Sequence, residues 1–317
     1  MRKVRAAVFI LSVLAGLSGI FGCRAAEVRS PDPDPAAVKI YLMGDTQKIV
    51  DQAPESFLDF MDALRDNVIK DGVSLVLHMG DITENSQDSN WPVAQEGFYK
   101  LNGVVPYVLN IGNNDVWQDP DADKFNAYFP LSRYNTQPSF VSNYDRHSNV
   151  AHQFNLGGID WLVISIRYNP TEDILDWAEQ LILANPDKKV ILVNHEGGST
   201  RALTNAVSRL AKRHENVVFL FAGHSLSRHQ LLTGDNGNRI GYVRTCHHDA
   251  ALDSYVCVVT LDTRTGSASF RYYSPLYGKY WDDPAAPYHH HEKRPQDAPW
   301  TWTGFSFTSQ AHSGDPN

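Results

Sequence analysis

From Val38 onward, short apolar runs alternate with stretches of helical period. Residues 38–42 form an apolar run of strand length. In residues 55–70, Phe57, Phe60, Leu64 and Val68 recur at three- and four-residue spacing, the signature of one buried helix face. A strand over 73–79, a helix over 91–101 and a third strand over 106–111 follow. Residues 150–156 and 161–167 read as a hairpin turning at Gly157-Gly158. Beyond it the pattern predicts a helix over 173–184, a strand over 189–193, a helix over 203–213 and a strand over 217–221. The chain then becomes strand-rich, with runs at 240–245, 255–262 and 267–273. This alternation predicts an α/β fold built on a central sheet. Residues 116–149 carry Asp, Asn, Pro and aromatic residues without a period, and loops of that length inside a compact domain are usually functional. The segment beyond Tyr280 has no period either, and reads as an irregular tail over 281–317.

Composition adds little until charge is considered. The 317 residues are 42% hydrophobic and 20% charged, ordinary values for a globular chain, and one large domain of this length needs no staples. A net charge of −8, with no cluster of Lys and Arg, argues against a nucleic-acid groove.

The N-terminus changes the picture more. Arg2, Lys3 and Arg5 precede an apolar run over residues 6–21, the layout of an export signal over residues 1–26. The run falls short of the roughly 20 apolar residues that span a bilayer comfortably. It ends in Gly22-Cys23, which leaves two readings open. Either Cys23 is lipidated and tethers the protein to a membrane, or ordinary cleavage falls near Ala25 or Ala26. Both place the protein in the periplasm or at the cell surface. A flexible spacer rich in Pro, Asp and Ala follows over 27–37. Export would permit a disulfide between Cys246 and Cys257, on neighbouring segments of an expected hairpin; Cys257 reads equally as a small buried residue. The His289-His290-His291 triplet reads as a surface tract or a metal site.

The chemistry lies at the ends of the strands. They end in Gly44-Asp45-Thr46-Gln47, Gly80-Asp81-Ile82-Thr83-Glu84, Gly112-Asn113-Asn114-Asp115, Asn194-His195 and Gly223-His224. In an α/β sheet, the loops at the carboxyl ends of strands form the ligand crevice. Five strands therefore deliver Asp, Asp, Asn, His and His to one edge. Alone, each has a bland alternative: Asp81 as an N-cap, Asn113 as a turn residue, His195 as a satisfied core histidine. Together, carboxylate and amide oxygens with neutral imidazoles suit two divalent transition metals such as Mn, Fe or Zn. A pair of such ions about 3.5–4 Å apart clamps a phosphoryl group for in-line attack.

In order and separation these motifs resemble those of the calcineurin-like metallophosphoesterases, in a subgroup that carries Asp-Thr-Gln, from about Val38 to Tyr273, within an expected domain over residues 38–280. The resemblance implies an αββα sandwich of two mixed β-sheets flanked by helices, with a dinuclear metal site at the strand C-terminal edge. It implies that Asp81 bridges both metals, that Asn113, His195 and His224 complete one site, and that Asp45 and Gln47 serve the other. It makes Asn114 and Asp115 the candidate catalytic residues and a small phosphorylated molecule the substrate.

Three departures from the family pattern bear on activity. Gln47 stands where His is usual, Leu226 stands where a second His usually follows Gly-His, and Asn114 stands where a His usually attends the leaving group. Asn donates a hydrogen bond but no proton, and general acid catalysis is worth about 10²–10⁴-fold. His229, His247, His248 and Arg228 lie downstream as surface residues or as substitutes. The sequence therefore supports a metal-dependent phosphoric ester hydrolase, phosphatase or phosphodiesterase. Two alternatives stand beside it: a hydrolase of polyphosphate or nucleotide anhydrides, and a non-catalytic binder of metal and phosphorylated ligands on the same scaffold.

Overall fold

The computed structural model describes residues 37–196, 205–225, 227–246, 255–283 and 299–307. In chain order the elements are β1 (Val38–Met43), α1 (Gln47–Gln52), α2 (Pro54–Asp71), β2 (Val73–His78), α3 (Asn90–Tyr99), β3 (Tyr107–Val108), α4 (Asp123–Tyr128), β4 (Phe140–Tyr144), β5 (Asn149–Leu156) and β6 (Ile159–Ile166). There follow α5 (Glu172–Leu183), β7 (Lys189–Asn194), α6 (Ala206–Arg213), β8 (Val217–Ala222), β9 (Arg228–Thr233), β10 (Arg239–Arg244), β11 (Val256–Asp262), β12 (Ser267–Ser274), β13 (Lys279–Tyr280) and β14 (Trp300–Trp302).

The strands form two mixed sheets. The first runs β13-β12-β11-β1-β2-β3, with β14 also on β12; the second runs β4-β5-β6-β7-β8-β10-β9. Strand alternation assigns each side chain to a layer. In β1, Val38, Ile40 and Leu42 point between the sheets, while Tyr41 and Met43 point outward against α1 to α4. In β7, Ile191 and Val193 face the other sheet, while Val190 and Leu192 pack under α5 and α6. Both faces of each sheet are covered, giving the αββα sandwich the motifs implied.

The helices follow from local rules. Pro54 opens α2, and Gly72 closes it in the left-handed conformation at φ 63°. Between them Phe57, Phe60, Met61, Leu64 and Val68 bury one stripe. Asn205 caps α6 by accepting from the Ser208 N–H at 2.8 Å.

Several expectations change. The third strand is ladder-bonded over only Tyr107 and Val108, because Pro106 lacks an N–H and the chain beyond Val108 bends toward the site. A helix, α1, starts directly at Gln47, where a loop was expected. Residues 116–149 are packed: His147 is buried, its Nδ1 lies 2.7 Å from the Phe129 carbonyl, and its ring stacks 4.0 Å from Tyr134. Described residues of the tail join the fold: β14 pairs with β12, and Phe305 and Phe307 enter the core between the sheets. Cys246 and Cys257 do not share a hairpin. Cys246 follows β10 in the second sheet, Cys257 lies in β11 of the first, and both are thiols. Residues 1–36, Leu226, His247, His248 and the His289–His291 triplet lie outside the described residues.

Candidate metal centre

Strands β1, β2 and β3 are parallel, as are β6, β7, β8 and β10, so their carboxyl ends share one edge. The two sheets are tied together along that edge. The Tyr168 N–H, after β6, donates to the Ile111 carbonyl after β3 at 2.9 Å. Asn110 donates to Ser165 Oγ at 2.9 Å and to the Ile166 carbonyl at 2.8 Å, and its Oδ1 accepts from the His195 N–H at 3.0 Å. Asn194 donates to the carbonyls of Ile166 and Arg167, both at 3.0 Å. These bonds fix where β7 ends, and hence where His195 stands.

The backbone bends sharply to present the polar side chains. Asp45, Asp81 and His224 all have positive φ, at 37°, 56° and 74°. For non-glycine residues that conformation is costly and is characteristic of functional sites. Glycines beside them leave room for close approach. A Cβ on Gly112 would lie 2.1 Å from Asp81 Oδ1, and one on Gly223 would lie 2.3 Å from Asp45 Oδ1.

Asp81, His195 and His224 offer ligand atoms that all lie within 4.8 Å of one another. Asn113 joins them, with Oδ1 3.0 Å from His195 Nε2 and 2.7 Å from His224 Nδ1. His195 Nε2 also lies 3.3 Å from Asp81 Oδ1. The other His195 nitrogen, Nδ1, donates to the Met79 carbonyl at 2.8 Å. That second bond orients the ring and leaves Nε2 facing the cluster, as a metal-binding histidine requires.

The electrostatics ask for a cation. Burial works to lower the His195 pKa, but the charges of Asp81 and Asp45, with the bonds to Asp81 and Met79, raise it to about 9. Burial alone would raise the Asp81 pKa; His195 and the two Asn114 bonds hold it below the usual carboxylate range. Carboxylate and amide oxygens converging on the His195 Nε2 favour positive charge at this point. The donor set of two imidazoles, one carboxylate and one amide oxygen fits a divalent transition metal.

The remaining predicted residues attach to this nucleus in different ways. The Asp45 carboxylate accepts from the His224 N–H at 3.1 Å and from the Cys246 thiol at 3.0 Å. Gln47 is fully buried and donates through Nε2 to Asp81 Oδ2 at 3.2 Å. Asn114 turns onto Asp81 twice, its backbone N–H to Oδ1 at 2.8 Å and its amide Nδ2 to Oδ2 at 2.6 Å. In this arrangement it holds the Asp81 carboxylate. Asp115 faces away from the cluster. Its oxygens accept from the N–H groups of Ile82, Thr83 and Gly112 and from the Thr83 hydroxyl. Burial, with the nearby charge of Asp81, pushes its pKa up to about 7 despite those bonds. Glu84 pairs with Lys48 at 2.9 Å. His229 stacks on Trp300 at 3.9 Å, a packing role within β9.

One neighbour escaped the motif search. The Tyr168 ring lies 6.1 Å from that of His195 and 6.2 Å from that of His224. It stands at the end of β6, which runs parallel to β7, so the rule that singled out the other strand ends also covers it.

A two-sheet sandwich with oxygen and imidazole donors converging at one edge forms a site suited to divalent metal. The chain belongs to the calcineurin-like phosphoesterase family, whose model matches residues 38–228, more than half of its length. That family is typically metal-dependent, with a dinuclear centre. The uncharacterized protein YvnB of Bacillus subtilis is 26% identical over 204 residues, covering 61% of this chain and 16% of that protein. The chain thus spans under a fifth of that relative. A dimetal phosphatase from Danio rerio has TM-score 0.52 at 11% identity, covering 76% of this chain and 97% of its own. A purple acid phosphatase from yellow lupin (Lupinus luteus) seeds has TM-score 0.51 at 12% identity, covering 79% and 53%. Both are likenesses of fold.

Proposed function

We propose that this centre hydrolyses a small phosphorylated substrate, by in-line attack on phosphorus, outside the cytoplasm. The observation that carries the reading is the convergence of Asp81, Asn113, His195 and His224 from four strand ends onto one point. These four would hold one metal, while Asp45 and Gln47, with Asp81 shared, would hold a second. When bound, the pair supplies an activated hydroxide and offsets charge on the phosphoryl oxygens.

The protein's own part is positional. Asn114 and Gln47 fix both Asp81 oxygens, so the carboxylate is set before substrate arrives. Met79 and Asn110 fix His195 from side chain and backbone. Asp115 clamps Gly112 to Ile82 and Thr83, holding the β2 and β3 loops at the spacing this cluster needs. Export is supported by the basic residues and apolar run at the N-terminus, and a lipidated Cys23 would add a tether.

Turnover tests the reading. With added Mn, the purified protein should release nitrophenol from p-nitrophenyl phosphate or bis-p-nitrophenyl phosphate, and chelator should abolish the release. Comparison with pyrophosphate and alkyl phosphates sorts monoester, diester and anhydride preference. No turnover of any of these by metal-loaded protein would leave a binding protein on the same scaffold.

A further inference from the structure

We propose that Tyr168 donates a hydrogen bond to the departing oxygen of the phosphoester, making it a catalytic residue of this centre. The inference rests on the hydrolase reading above. Two independent observations lead to it.

The first is where Asn114 points. It occupies the position at which a leaving-group donor is expected, yet both its backbone N–H and its amide donate to Asp81. The amide that stands at that position is thus turned onto the Asp81 carboxylate, with one of its two hydrogens used there. As the P–O bond breaks, negative charge collects on the ester oxygen, and a preorganised donor aimed there is worth about 10²–10³-fold.

The second is what flanks the imidazoles. Tyr168 is in ring contact with both His195 and His224, at interplanar angles of 73° and 32°. Its backbone is pinned by the bond to Ile111, and the chain turns immediately at Asn169, φ 49°. The ring is therefore held over the centre and not swung into solvent. The residue is partly exposed at this edge. Phenylalanine at this position would pack equally well on the imidazoles; only the O–H distinguishes the proposed role from a packing role.

The test is the dependence of rate on leaving group in the Mn-loaded protein. Tyr168→Phe should lower kcat for an alkyl phosphate about 10²-fold, while p-nitrophenyl phosphate, whose leaving oxide needs little help, loses about threefold or less. Tyr168→His, which restores a donor, should recover part of the alkyl rate. Metal content and the unfolding midpoint should match the parent. An equal loss for both substrates, no loss for either, or a fall in metal content would each overturn the proposal. If the parent itself hydrolyses no ester, the hydrolase reading fails and this role fails with it.

Discussion

Asp81→Ala is expected to remove bound metal and turnover together. Asp81 meets both halves of the cluster through its side chain. It lies beside His195 at 3.3 Å and accepts from Asn114 and from Gln47, neighbour of the other metal-binding candidate, Asp45. Without it the remaining imidazoles and amide carry no bridging charge to hold two cations. Metal ions supply several kcal/mol of transition-state stabilisation. At 1.36 kcal/mol per tenfold, the rate should fall by roughly 10³-fold or more. Asp81→Asn separates charge from shape: it keeps the volume and an acceptor oxygen, and should fold with unchanged circular dichroism while losing metal. Elemental analysis and steady-state rates on the two variants decide the matter. Full activity in Asp81→Ala would show that the centre lies elsewhere.

Asn110→Leu should cost the most stability of any single polar replacement near the site. Asn110 is 1% exposed and links the end of β3 to β6 and β7 across the two sheets. Leucine leaves the His195 N–H without its acceptor and removes donors from Ser165 and the Ile166 carbonyl. An unsatisfied buried polar group costs about 1–3 kcal/mol, so a total of about 3–5 kcal/mol is expected. For a domain of this size that is a fall in Tm of roughly 6–20 °C. Metal retention should fall too, because the His195 backbone loses the bond that sets its height at the sheet edge. Thermal unfolding with and without Mn measures both effects; an unchanged midpoint would mean that the seam is held by other contacts.

Much of this arrangement was legible before any coordinates. The stripe Phe57, Phe60, Leu64 and Val68 gave α2, because a buried helix face repeats at its own period. Asp45, Asp81, Asn113, His195 and His224 stood out because each followed an apolar run at the point where parallel strands open a crevice. What stayed hidden depended on partners distant in sequence. Trp300, Trp302, Phe305 and Phe307 have no local period; β14 places the two tryptophans, partly buried, beside β12, and the two phenylalanines are buried in the core between the sheets. Asn110 reads as an ordinary polar residue until β6 and β7 close over it. The direction of Asn114 could not be read from its position in a motif, because rotation onto Asp81 is a matter of side-chain geometry. Tyr168 was overlooked since Arg167-Tyr168-Asn169 carries no acidic or imidazole group, although it ends a strand of the same parallel set.

The most direct test of the metal centre is the metal content of the purified protein after loading with Mn and removal of unbound ion. Two ions per chain, lost on mutation of Asp81, is the result the convergence of five strand ends predicts. One ion or none per chain would contradict it.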